Sequence, residues 1–399
     1  MQQRVVVVGG GVLGLMHAVQ ARQRGCQVVH LEREAGSRGA TVRNFGLVWV
    51  SGRAAGPELD LALRARQLWE ELGARVPAAG FRAHGSLTLA VTEAEAGLLA
   101  EAAGRPDSAR REFRLLGPAQ VRALNPAIGG DVRAGLYCAR DAIVEPRLVP
   151  GAIRDYLLAG GQDGGYTWLP GREAVAVADG AVRDHAGHWH HGDLVVLCTG
   201  AAHTGVAGPH LAGFAEPPVR RVRLQMLQTE PFAGRLTTSV ADGDTLRYYP
   251  AYDLPGRARL GPQPPAAAAT AAQLLMTQRL DGSLTIGDTH AYDEPFPFDV
   301  DELAYEHLKH RAELLLGVAL PPVRRRWAGV YSQATGTEVY HRSRVAAGVE
   351  LVTGPGGRGM TLAPAIAEQT FNGQTAAGRT LTGQAPAGPA GPPDRKDPP

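Results

Sequence analysis

The segment from Arg4 to Glu32 constrains the fold of this chain more than any other part of its sequence. A run of four valines leads into three glycines, Gly9, Gly11 and Gly14, which have the G-x-G-x-x-G spacing. In this spacing the first glycine permits a tight turn, the second lets the backbone approach a pyrophosphate, and the third brings helix and strand together. The following helix would point its N-terminus at the phosphates. The segment therefore predicts a strand, a phosphate-binding turn and a helix.

The residues after these glycines complete a nucleotide-binding unit. A helical pattern continues to about Arg24, and a second strand, Gln27 to Leu31, is followed by Glu32. A carboxylate in this position can accept hydrogen bonds from a ribose diol and would repel a 2′-phosphate. The unit predicts a dinucleotide site, with a glycine-rich turn that binds nothing as the alternative. By itself it does not distinguish NAD from FAD.

Composition limits the class of protein. A length of 399 residues exceeds that of most single domains, so two domains are expected. The net charge of +2 and the lack of a basic run argue against nucleic-acid binding. Cys26, Cys138 and Cys198 are scattered and odd in number, which is typical of reduced cytosolic thiols. The N-terminus does not resemble a signal peptide, and no apolar run approaches the roughly 20 residues that span a bilayer. We therefore expect a cytoplasmic protein without a membrane partner.

Periodic patterns organise the middle of the chain. The range 173–182 predicts a strand, an Asp-Gly turn and a strand, and the range 193–200, DLVVLCTG, predicts a buried strand. Strands of alternating polarity between Val219 and Ile286 predict a second, mainly antiparallel domain. The range 188–191 holds three histidines but no cysteine, so an exposed strand is predicted there in preference to a zinc site, and no metal is expected.

A second glycine loop, Gly354 to Thr361, decides which dinucleotide is predicted. It follows a strand and precedes a helix, so it would present backbone N–H groups and the positive end of a helix dipole. Reduced flavin carries negative charge around N1 and O2, which such a helix end would stabilise. A nicotinamide dehydrogenase has no regular need for this loop. FAD is therefore predicted, with a glycine-rich turn of no function as the alternative.

Together, these motifs and their order resemble the D-amino-acid oxidase/glycine oxidase/sarcosine oxidase superfamily of FAD enzymes. Three segments, GATVRNFG (39–46), RVRLQM (221–226) and TGPGGRGMTL (353–362), closely resemble a bacterial subgroup of FAD-dependent oxidoreductases. Members of that subgroup are typically encoded beside genes for 2-aminoethylphosphonate breakdown. The resemblance covers nearly the whole chain except its C-terminal tail.

The resemblance implies an α/β fold with two domains. A Rossmann-like FAD-binding domain of the glutathione-reductase type would comprise residues 1–77, 142–214 and 322–381. A second, α+β domain with a mainly antiparallel sheet would bind substrate and comprise residues 78–141 and 215–321. Residues 382–399 would form a disordered Pro/Gly-rich tail.

The resemblance also implies which residues bind the cofactor. The first glycines would hold the pyrophosphate, Glu32 the ribose and the Val175 backbone the adenine, while the 43–46 segment and the late glycine loop would enclose the isoalloxazine. No cysteine or histidine stands at a familiar flavin-linking position, so FAD is expected to be non-covalent. The predicted cofactor-binding residues are Gly9, Gly11, Val12, Leu13, Gly14, Glu32, Arg33, Thr41, Arg43, Asn44, Phe45, Gly46, Val175, Thr199, Gly200, Gly329, Gly357, Gly359, Met360 and Thr361.

The substrate side departs from the family pattern. Glycine-oxidase-like enzymes carry an arginine just after a W-A-G-type strand, where it forks onto the substrate carboxylate. Here Trp327 to Val330 is followed by Tyr331, which weakens the prediction of an ordinary α-amino acid as substrate; Tyr331 as a plain pocket wall is the alternative. A phosphonate needs several donors. The candidates for contact with substrate are Arg43, Asn44, Arg223, Gln225, Arg247, Tyr248, Tyr249, Tyr331 and His341.

Strand periodicity refines that set of candidates. Tyr248 and Tyr249 are read as neighbours in an alternating strand, so only one of them is expected to face the pocket. Arg223 and Gln225 are expected to share a strand face, which favours them as a pair.

The predicted reaction is oxidation of the C–N bond of a small, anionic amine by hydride transfer to flavin. For 2-aminoethylphosphonate or its N-methyl derivative, the products would be an aldehyde and ammonia or an amine. Orientation and desolvation would supply most of the catalysis, with no obligatory acid-base residue. The alternatives are a glycine-, sarcosine- or proline-like amino-acid oxidase or dehydrogenase, and a non-catalytic flavoprotein that binds a partner. No lysine occurs in any motif, so the electron acceptor stays open between O2 and another molecule.

Overall fold

The computed structural model describes residues 2–160 and 164–376 of the chain. The predicted tail, residues 382–399, lies outside the described residues, as do residues 377–381 of the predicted cofactor domain. The strands, in chain order, are β1 (Arg4–Val8), β2 (Gln27–Glu32), β3 (Leu47–Val48), β4 (Ser86–Ala90), β5 (Phe113–Leu116), β6 (Ala134–Cys138), β7 (Ala142–Ile143), β8 (Tyr166–Pro170), β9 (Ala174–Ala178), β10 (Ala181–Asp184), β11 (Trp189–His191), β12 (Leu194–Leu197), β13 (Val219–Pro231), β14 (Ser239–Ala241), β15 (Leu275–Gln278), β16 (Ser283–Gly287), β17 (Val323–Ala334), β18 (His341–Ala346) and β19 (Val349–Thr353). The α-helices are α1 (Val12–Gln23), α2 (Pro57–Arg75), α3 (Glu93–Ala103), α4 (Ser108–Arg111), α5 (Pro118–Leu124), α6 (Val149–Ala159), α7 (Gly208–Ala212), α8 (Thr245–Tyr248), α9 (Pro265–Thr270), α10 (Glu302–Leu316) and α11 (Gly359–Ala376). Short 3₁₀ turns occupy Ala40–Val42, Pro77–Ala79, Gly205–Ala207, Pro250–Tyr252, Pro255–Arg259 and Gly356–Arg358.

A six-stranded sheet is built around β1. Its strand order is β18-β19-β12-β1-β2-β8, and β1 pairs in parallel with both β2 and β12. Four successive valines suit this central position, because a strand covered on both faces buries every side chain. Helices α1 and α11 pack against each other beside this sheet. The arrangement confirms the predicted Rossmann-like α/β fold.

A second, larger sheet has eight strands, is mainly antiparallel and has the strand order β17-β13-β16-β15-β14-β4-β6-β5. Only the β4–β14 pair runs parallel. Its longest pairing joins β13 to β17, from Val219 opposite Ala334 to Thr229 opposite Val323. Strand β17, which lies in the range 322–381 of the predicted cofactor domain, thus pairs with the larger sheet. The division into domains stays a prediction.

The two sheets meet where the parallel strands of the first one end. Val8 at the end of β1, Glu32 at the end of β2 and Cys198 just after β12 face the same cavity. Open α/β sheets bind ligands outside the carboxyl ends of their strands. The opposite wall comes from β13 and β17 of the larger sheet.

Two smaller findings complete the fold. The predicted hairpin forms as β9 and β10, and β11 pairs with β10; there His190 Nε2 lies 3.0 Å from Asp184 Oδ2. Within the described ranges, no group of three or more metal-ligating side chains comes together. Of the helices in residues 2–160 and 164–376, none is both long and apolar enough to cross a membrane.

Candidate active site

A cavity of about 1080 Å³ runs between the two sheets and is lined by both glycine loops. One end is formed by the first glycine loop, Glu32 and the residues that follow β12. The other end is formed by aromatic and charged side chains from the larger sheet and from its loops. One cavity therefore joins the predicted cofactor site to the predicted substrate site.

The three glycines of the first loop have different neighbours. Gly9 has a φ of +104°, and a Cβ there would lie 2.3 Å from the Cys198 carbonyl oxygen. A Cβ on Gly14 would lie 1.9 Å from the Gly9 carbonyl oxygen, so Gly14 is required for close packing of helix on strand. Gly11 faces the cavity, and a Cβ there would meet only the Thr41 hydroxyl, at 3.2 Å. These contacts are compatible with the turn, ligand-approach and packing roles, and the ligand-approach role of Gly11 stays a prediction.

Glu32 is held at the cofactor end by backbone donors. Its Oε2 accepts a hydrogen bond from the Gly10 N–H at 2.6 Å, and its Oε1 accepts one from the Glu34 N–H at 2.9 Å. Each carboxylate oxygen keeps further acceptor capacity, which a ribose diol can use. The carboxylate lines the cavity and is therefore positioned for the predicted contact.

The second glycine loop closes the cavity from the other side. Helix α11 begins at Gly359, directly after the 3₁₀ turn Gly356–Arg358. The Thr361 hydroxyl accepts a hydrogen bond from the Trp49 N–H at 2.9 Å, which ties the start of this helix to the segment after β3. A helix N-terminus at this point favours negative charge nearby.

An orphaned hydroxyl supports the fit of a dinucleotide. The Thr199 Oγ1 lines the cavity and is buried without a hydrogen-bond partner among the described residues. Buried polar atoms in native proteins are nearly always paired. The glycine cradle, the Glu32 carboxylate and this hydroxyl together fit the pyrophosphate and ribose of FAD.

Most predicted cofactor residues line the cavity, and three do not. Gly14 packs on Gly9, as described above, and a Cβ on Gly46 (φ +73°) would lie 2.1 Å from the Val144 carbonyl oxygen. The Val175 side chain is 45% exposed, while the preceding residues of its segment, 172–174, line the cavity. The predicted residues that do line it are Gly9, Gly11, Val12, Leu13, Glu32, Arg33, Thr41, Arg43, Asn44, Phe45, Thr199, Gly200, Gly329, Gly357, Gly359, Met360 and Thr361.

The predicted pair Arg223 and Gln225 does not reach the cavity. The two residues share a face of β13, as expected, but that face is turned toward the start of α10. Arg223 donates to the Asp299 carbonyl oxygen, and Gln225 Oε1 accepts from the Asp301 N–H at 2.6 Å. Leu224 and other residues of the opposite face line the cavity. Their contact with substrate has no support from the lining of the cavity and stays a prediction.

His341 is also placed away from the cavity. It lies at the start of β18, where its Nε2 is 3.0 Å from the Ser343 hydroxyl and its ring packs edge-on against Phe214. It does not line the cavity, and its contact with substrate stays a prediction.

Tyr248 and Tyr249 both line the cavity, contrary to the prediction that only one would. Tyr248 ends α8 and Tyr249 follows in an extended conformation, so strand alternation does not apply to them. Their rings lie 5.1 Å apart at an angle of 85°. Tyr331 lines the same end of the cavity, as do Arg43, Asn44 and Arg247.

Two arginines at this end were missed. Arg53 is buried; its Nε donates to the Trp49 carbonyl oxygen at 2.8 Å and its Nη1 lies 3.6 Å from Glu58 Oε1. Arg358 Nε lies 2.7 Å from the same Glu58 oxygen. The signal available in the sequence was an arginine directly after an apolar segment for Arg53, and one inside the glycine loop for Arg358.

A buried carboxyl was missed as well. Asp288 directly follows β16, and Gln273 lies just before β15; the Gln273 amide donates to Asp288 Oδ1 at 3.2 Å. His290 and Tyr292, in the loop after β16, also line this end. The sequence signal for Asp288 was an acidic residue directly after an apolar strand.

Burial shifts the protonation equilibria of this end. It raises the pKa of Tyr248 to about 12 and that of Tyr331 well above its usual value, so both phenols stay protonated at neutral pH. It also raises the pKa of the Asp288 carboxyl and lowers that of Arg53. The end of the cavity therefore combines hydroxyl groups, a cationic pair and one carboxyl.

The fold agrees with comparisons to known proteins. The chain resembles glycine oxidase from Geobacillus kaustophilus (20% identity, TM-score 0.70, 93% of this chain and 94% of that one). It resembles L-proline dehydrogenase from P. horikoshii, with 18% identity and a TM-score of 0.74 over 94% of this chain and 94% of that one. It also resembles iminodiacetate oxidase from Chelativorans sp. BNC1, with 19% identity and a TM-score of 0.70 over 92% of this chain and 93% of that one. A search of curated proteins found no match. The TM-scores show a shared fold, and at such low sequence identities they show the fold alone.

A family model adds the class of chemistry. The model described as FAD dependent oxidoreductase (DAO) matches residues 4–372, which include both glycine loops and the whole substrate end of the cavity. The predicted cofactor and the prediction of an oxidoreductase are confirmed, in place of a non-catalytic flavoprotein. The chain belongs to the DAO family of FAD-dependent oxidoreductases.

Proposed function

We propose that this enzyme oxidises the C–N bond of a small anionic amine, and that the amine is an aminophosphonate such as 2-aminoethylphosphonate or its N-methyl derivative. The observation that carries this proposal is the pair Arg53 and Arg358, two guanidinium groups that share one carboxylate, Glu58, at the substrate end. Because Tyr331 stands where the family pattern has an arginine, we assign the binding of the substrate anion to this pair.

The charge balance of the pair favours an anion. One carboxylate against two guanidinium groups leaves one positive charge in a wall where Arg53 is only 3% exposed. A buried charge without a full partner is costly, and a bound anion offsets that cost. Guanidinium groups match phosphonate and carboxylate oxygens with paired donors. The Tyr249 ring lies 5.7 Å from the Arg53 guanidinium and limits the space beside it.

The chain's own residues would bind and orient the substrate. FAD, when bound, would itself accept the two electrons that the amine loses. The arginine pair would fix the anionic end of the substrate, and the Tyr248, Tyr249 and Trp49 rings would exclude water around the carbon that is oxidised. The resulting imine hydrolyses in water to an aldehyde and ammonia or an amine.

We also propose the placement of FAD along the cavity. The Gly9–Gly11 turn and Thr199 would hold the pyrophosphate, Glu32 the ribose, and residues 357–361 the flavin's pyrimidine edge, without a covalent link. Cys26, Cys138 and Cys198 are all buried free thiols, which supports the proposal of a reducing, cytoplasmic location.

Anaerobic titration of the purified holoenzyme tests the substrate. The panel is 2-aminoethylphosphonate, its N-methyl derivative, glycine, sarcosine and L-proline, with ethylphosphonate as a control that has no amine. We expect the aminophosphonates to bleach the flavin absorbance and ethylphosphonate to leave it unbleached. Bleaching by glycine or sarcosine but not by either aminophosphonate contradicts the proposed substrate.

An amino-acid oxidase or dehydrogenase is the second candidate function. The structural likeness to glycine oxidase, L-proline dehydrogenase and iminodiacetate oxidase favours it, and the arginine pair suits a carboxylate as well as a phosphonate. The same panel distinguishes the two candidates. Reoxidation of the reduced enzyme by air, compared with an artificial acceptor, decides between O2 and another electron acceptor.

A further inference from the structure

A second polar cluster lies beside the arginine pair, at the same end of the cavity. It consists of Gln273, Asp288, His290, Tyr248 and Tyr331, all of which line the cavity. Gln273 and Asp288 are brought together by the antiparallel pairing of β15 and β16, and the Gln273 N–H also donates to the Asp288 carbonyl oxygen at 3.0 Å. The cluster is therefore fixed by the larger sheet.

One polar atom of this cluster has no partner, and a second has a phenol as its neighbour. Gln273 Oε1 is buried without a hydrogen bond to any described residue, and the Tyr331 hydroxyl lies beside that of Tyr248; Gln273 and Tyr331 are 2% and 6% exposed. Both residues line the cavity. An amide oxygen can only accept hydrogen bonds, and a phenol can accept as well as donate. Gln273 Oε1 and Tyr331 Oη thus suit a ligand that donates several hydrogen bonds.

Asp288 adds an unbalanced charge. It is 6% exposed, and among residues 2–160 and 164–376 no arginine, lysine or histidine forms an ion pair with it. Its Oδ1 accepts a hydrogen bond from a neutral amide, that of Gln273. A buried carboxylate is stabilised by a cation that enters with its own donors.

The groups that surround Asp288 come from several elements. Tyr248 and Tyr249 approach from α8, Tyr331 from β17, and His290 and Tyr292 from its own loop. His290 Nδ1 lies 3.1 Å from the Ala271 carbonyl oxygen, so this nitrogen carries a proton, and its ring stacks on Tyr248 at 4.3 Å. The phenols are neutral at physiological pH, and Asp288 is the carboxylate among these groups, so it can both pair with a cationic ligand and accept a proton from it.

We propose that Asp288 binds the ammonium group of the substrate and takes a proton from it, with Gln273 Oε1 and Tyr331 Oη as further hydrogen-bond partners. This inference rests on the proposed amine oxidation. One N–H bond of the ammonium breaks, an O–H bond forms on the carboxylate, and the electron pair stays on nitrogen. The neutral amine can then lose hydride from the adjacent carbon, because its lone pair stabilises the positive charge that develops there.

Burial supports this role for Asp288. It raises the pKa of the carboxyl, which makes the carboxylate a stronger base than an exposed aspartate. The proton transfer also replaces an ion pair by two neutral groups, which a dry cavity favours.

Asp288→Asn and the control Asp293→Asn test the proposal. Asp293 is an exposed residue of the same loop. With the best amine of the panel, we expect Asp288→Asn to reduce the flavin about 100-fold more slowly at pH 7. The deficit should shrink toward pH 10, where free amine is present in solution. Asp288→Glu should recover part of the rate, and Asp293→Asn should stay within about twofold of the parent. A pH-independent deficit, or none, overturns the proposal.

Ligand binding provides a second readout that does not need turnover. Perturbation of the flavin spectrum under anaerobic conditions gives the Kd for 2-aminoethylphosphonate and for ethylphosphonate. We expect the parent enzyme to prefer the aminated probe about tenfold, and Asp288→Asn and Gln273→Met to lose that preference while keeping the Kd for ethylphosphonate. Gln273→Met decides the outcome if Asp288→Asn fails to fold.

The two proposals fail in different ways. If no amine reduces the parent flavin, the proposed function is wrong, and the amino-group subsite is judged by binding alone. A preference for the aminated probe that is lost in the variants then supports the subsite. Equal affinities for the two phosphonates in the parent enzyme overturn it.

Discussion

At the scale of single residues, the second and third glycines of the first loop have different surroundings. Gly11 faces the cavity with only the Thr41 hydroxyl nearby, whereas Gly14 lies against the Gly9 carbonyl group. The spacing alone predicted both roles, because the motif encodes its own local geometry. The same stretch of sequence therefore offers one variant that affects the cofactor and one that affects the fold.

Gly11→Ala is expected to weaken FAD binding by about tenfold or more while the deflavinated protein keeps most of its thermal stability. The added methyl group occupies the space through which the backbone approaches the pyrophosphate. Fluorescence titration of deflavinated protein with FAD measures the effect. Gly14→Ala is the comparison, since its methyl group clashes with backbone and should lower the melting temperature. Unchanged FAD affinity in Gly11→Ala contradicts the placement of the pyrophosphate.

Arg358→Gln tests the anion site at the same scale. Because Arg53 then keeps Glu58 to itself, the excess positive charge disappears, and we expect the apparent Kd for 2-aminoethylphosphonate to rise about 10- to 100-fold. The effect on an uncharged amine should be much smaller. Arg133→Gln, an exposed arginine 3.8 Å from Glu93, is the control. Equal losses for charged and uncharged amines would refute the anion site.

At the scale of elements, periodicity predicted which residues share a face but not where that face points. Strand β13 is buried on both sides for most of its length, with the cavity on one face and the start of α10 on the other. An alternating pattern on such a strand gives no sign of which side holds the ligand. Arg223 and Gln225 therefore share a face, as the periodicity predicts, but this face does not line the cavity.

Gln225→Leu distinguishes a structural role for Gln225 at the start of α10 from contact with the substrate. Its side-chain oxygen accepts from the Asp301 N–H at the start of α10, so its loss should lower the free energy of unfolding by about 1 kcal/mol. Flavin reduction by the substrate should not change. Urea unfolding and anaerobic reduction kinetics measure the two effects. A large change in substrate Kd with unaltered stability would restore Gln225 to the substrate site.

Helix α8 shows a different limit of sequence reasoning. The Asp244 N–H donates to Asp242 Oδ1, and the Thr245 hydroxyl donates to the Asp242 carbonyl oxygen at 2.6 Å. Such side-chain to backbone bonds offer the chain an alternative to a strand. The polar residues before Tyr248 thus carried a turn signal that outweighed the apparent strand. The contacts of Arg53 and Asp288, which depend on loops from distant segments, had no comparable local signal.

At the scale of the whole molecule, buried histidines tie the layers of the cofactor region together. His30 Nε2 lies 3.0 Å from the Gly9 carbonyl oxygen, and His17 Nε2 lies 2.9 Å from the Thr370 hydroxyl, which joins α1 to α11. Complete burial lowers the pKa of each to about 4, below the usual 6.5. Their neutral forms are therefore part of the folded state.

These lowered pKa values predict acid lability. Protonation favours the unfolded chain, so the stabilisation is fully present above about pH 6.5 and is lost as the pH falls toward 4, by up to about 3 kcal/mol for each histidine. Urea unfolding of the parent at several pH values between 8 and 4 measures the slope, and His17→Gln should show a shallower one. Stability that stays constant from pH 6.5 to 4.5 would contradict the prediction.

The strand order also sets the sequence of events during synthesis. Strand β1, the first of the described strands, lies between β2 and β12, and α11, the last described helix, packs on α1. One edge of β1 therefore stays unpaired until residues 194–197 have been made, and the second glycine loop completes the cavity only when residues 357–361 have been made. Unpaired strand edges and exposed apolar faces favour misassembly in a nascent chain. FAD can therefore stabilise this part of the fold only after residues 357–361 have been made, and until then the free edge of the valine strand depends on other contacts for protection from aggregation.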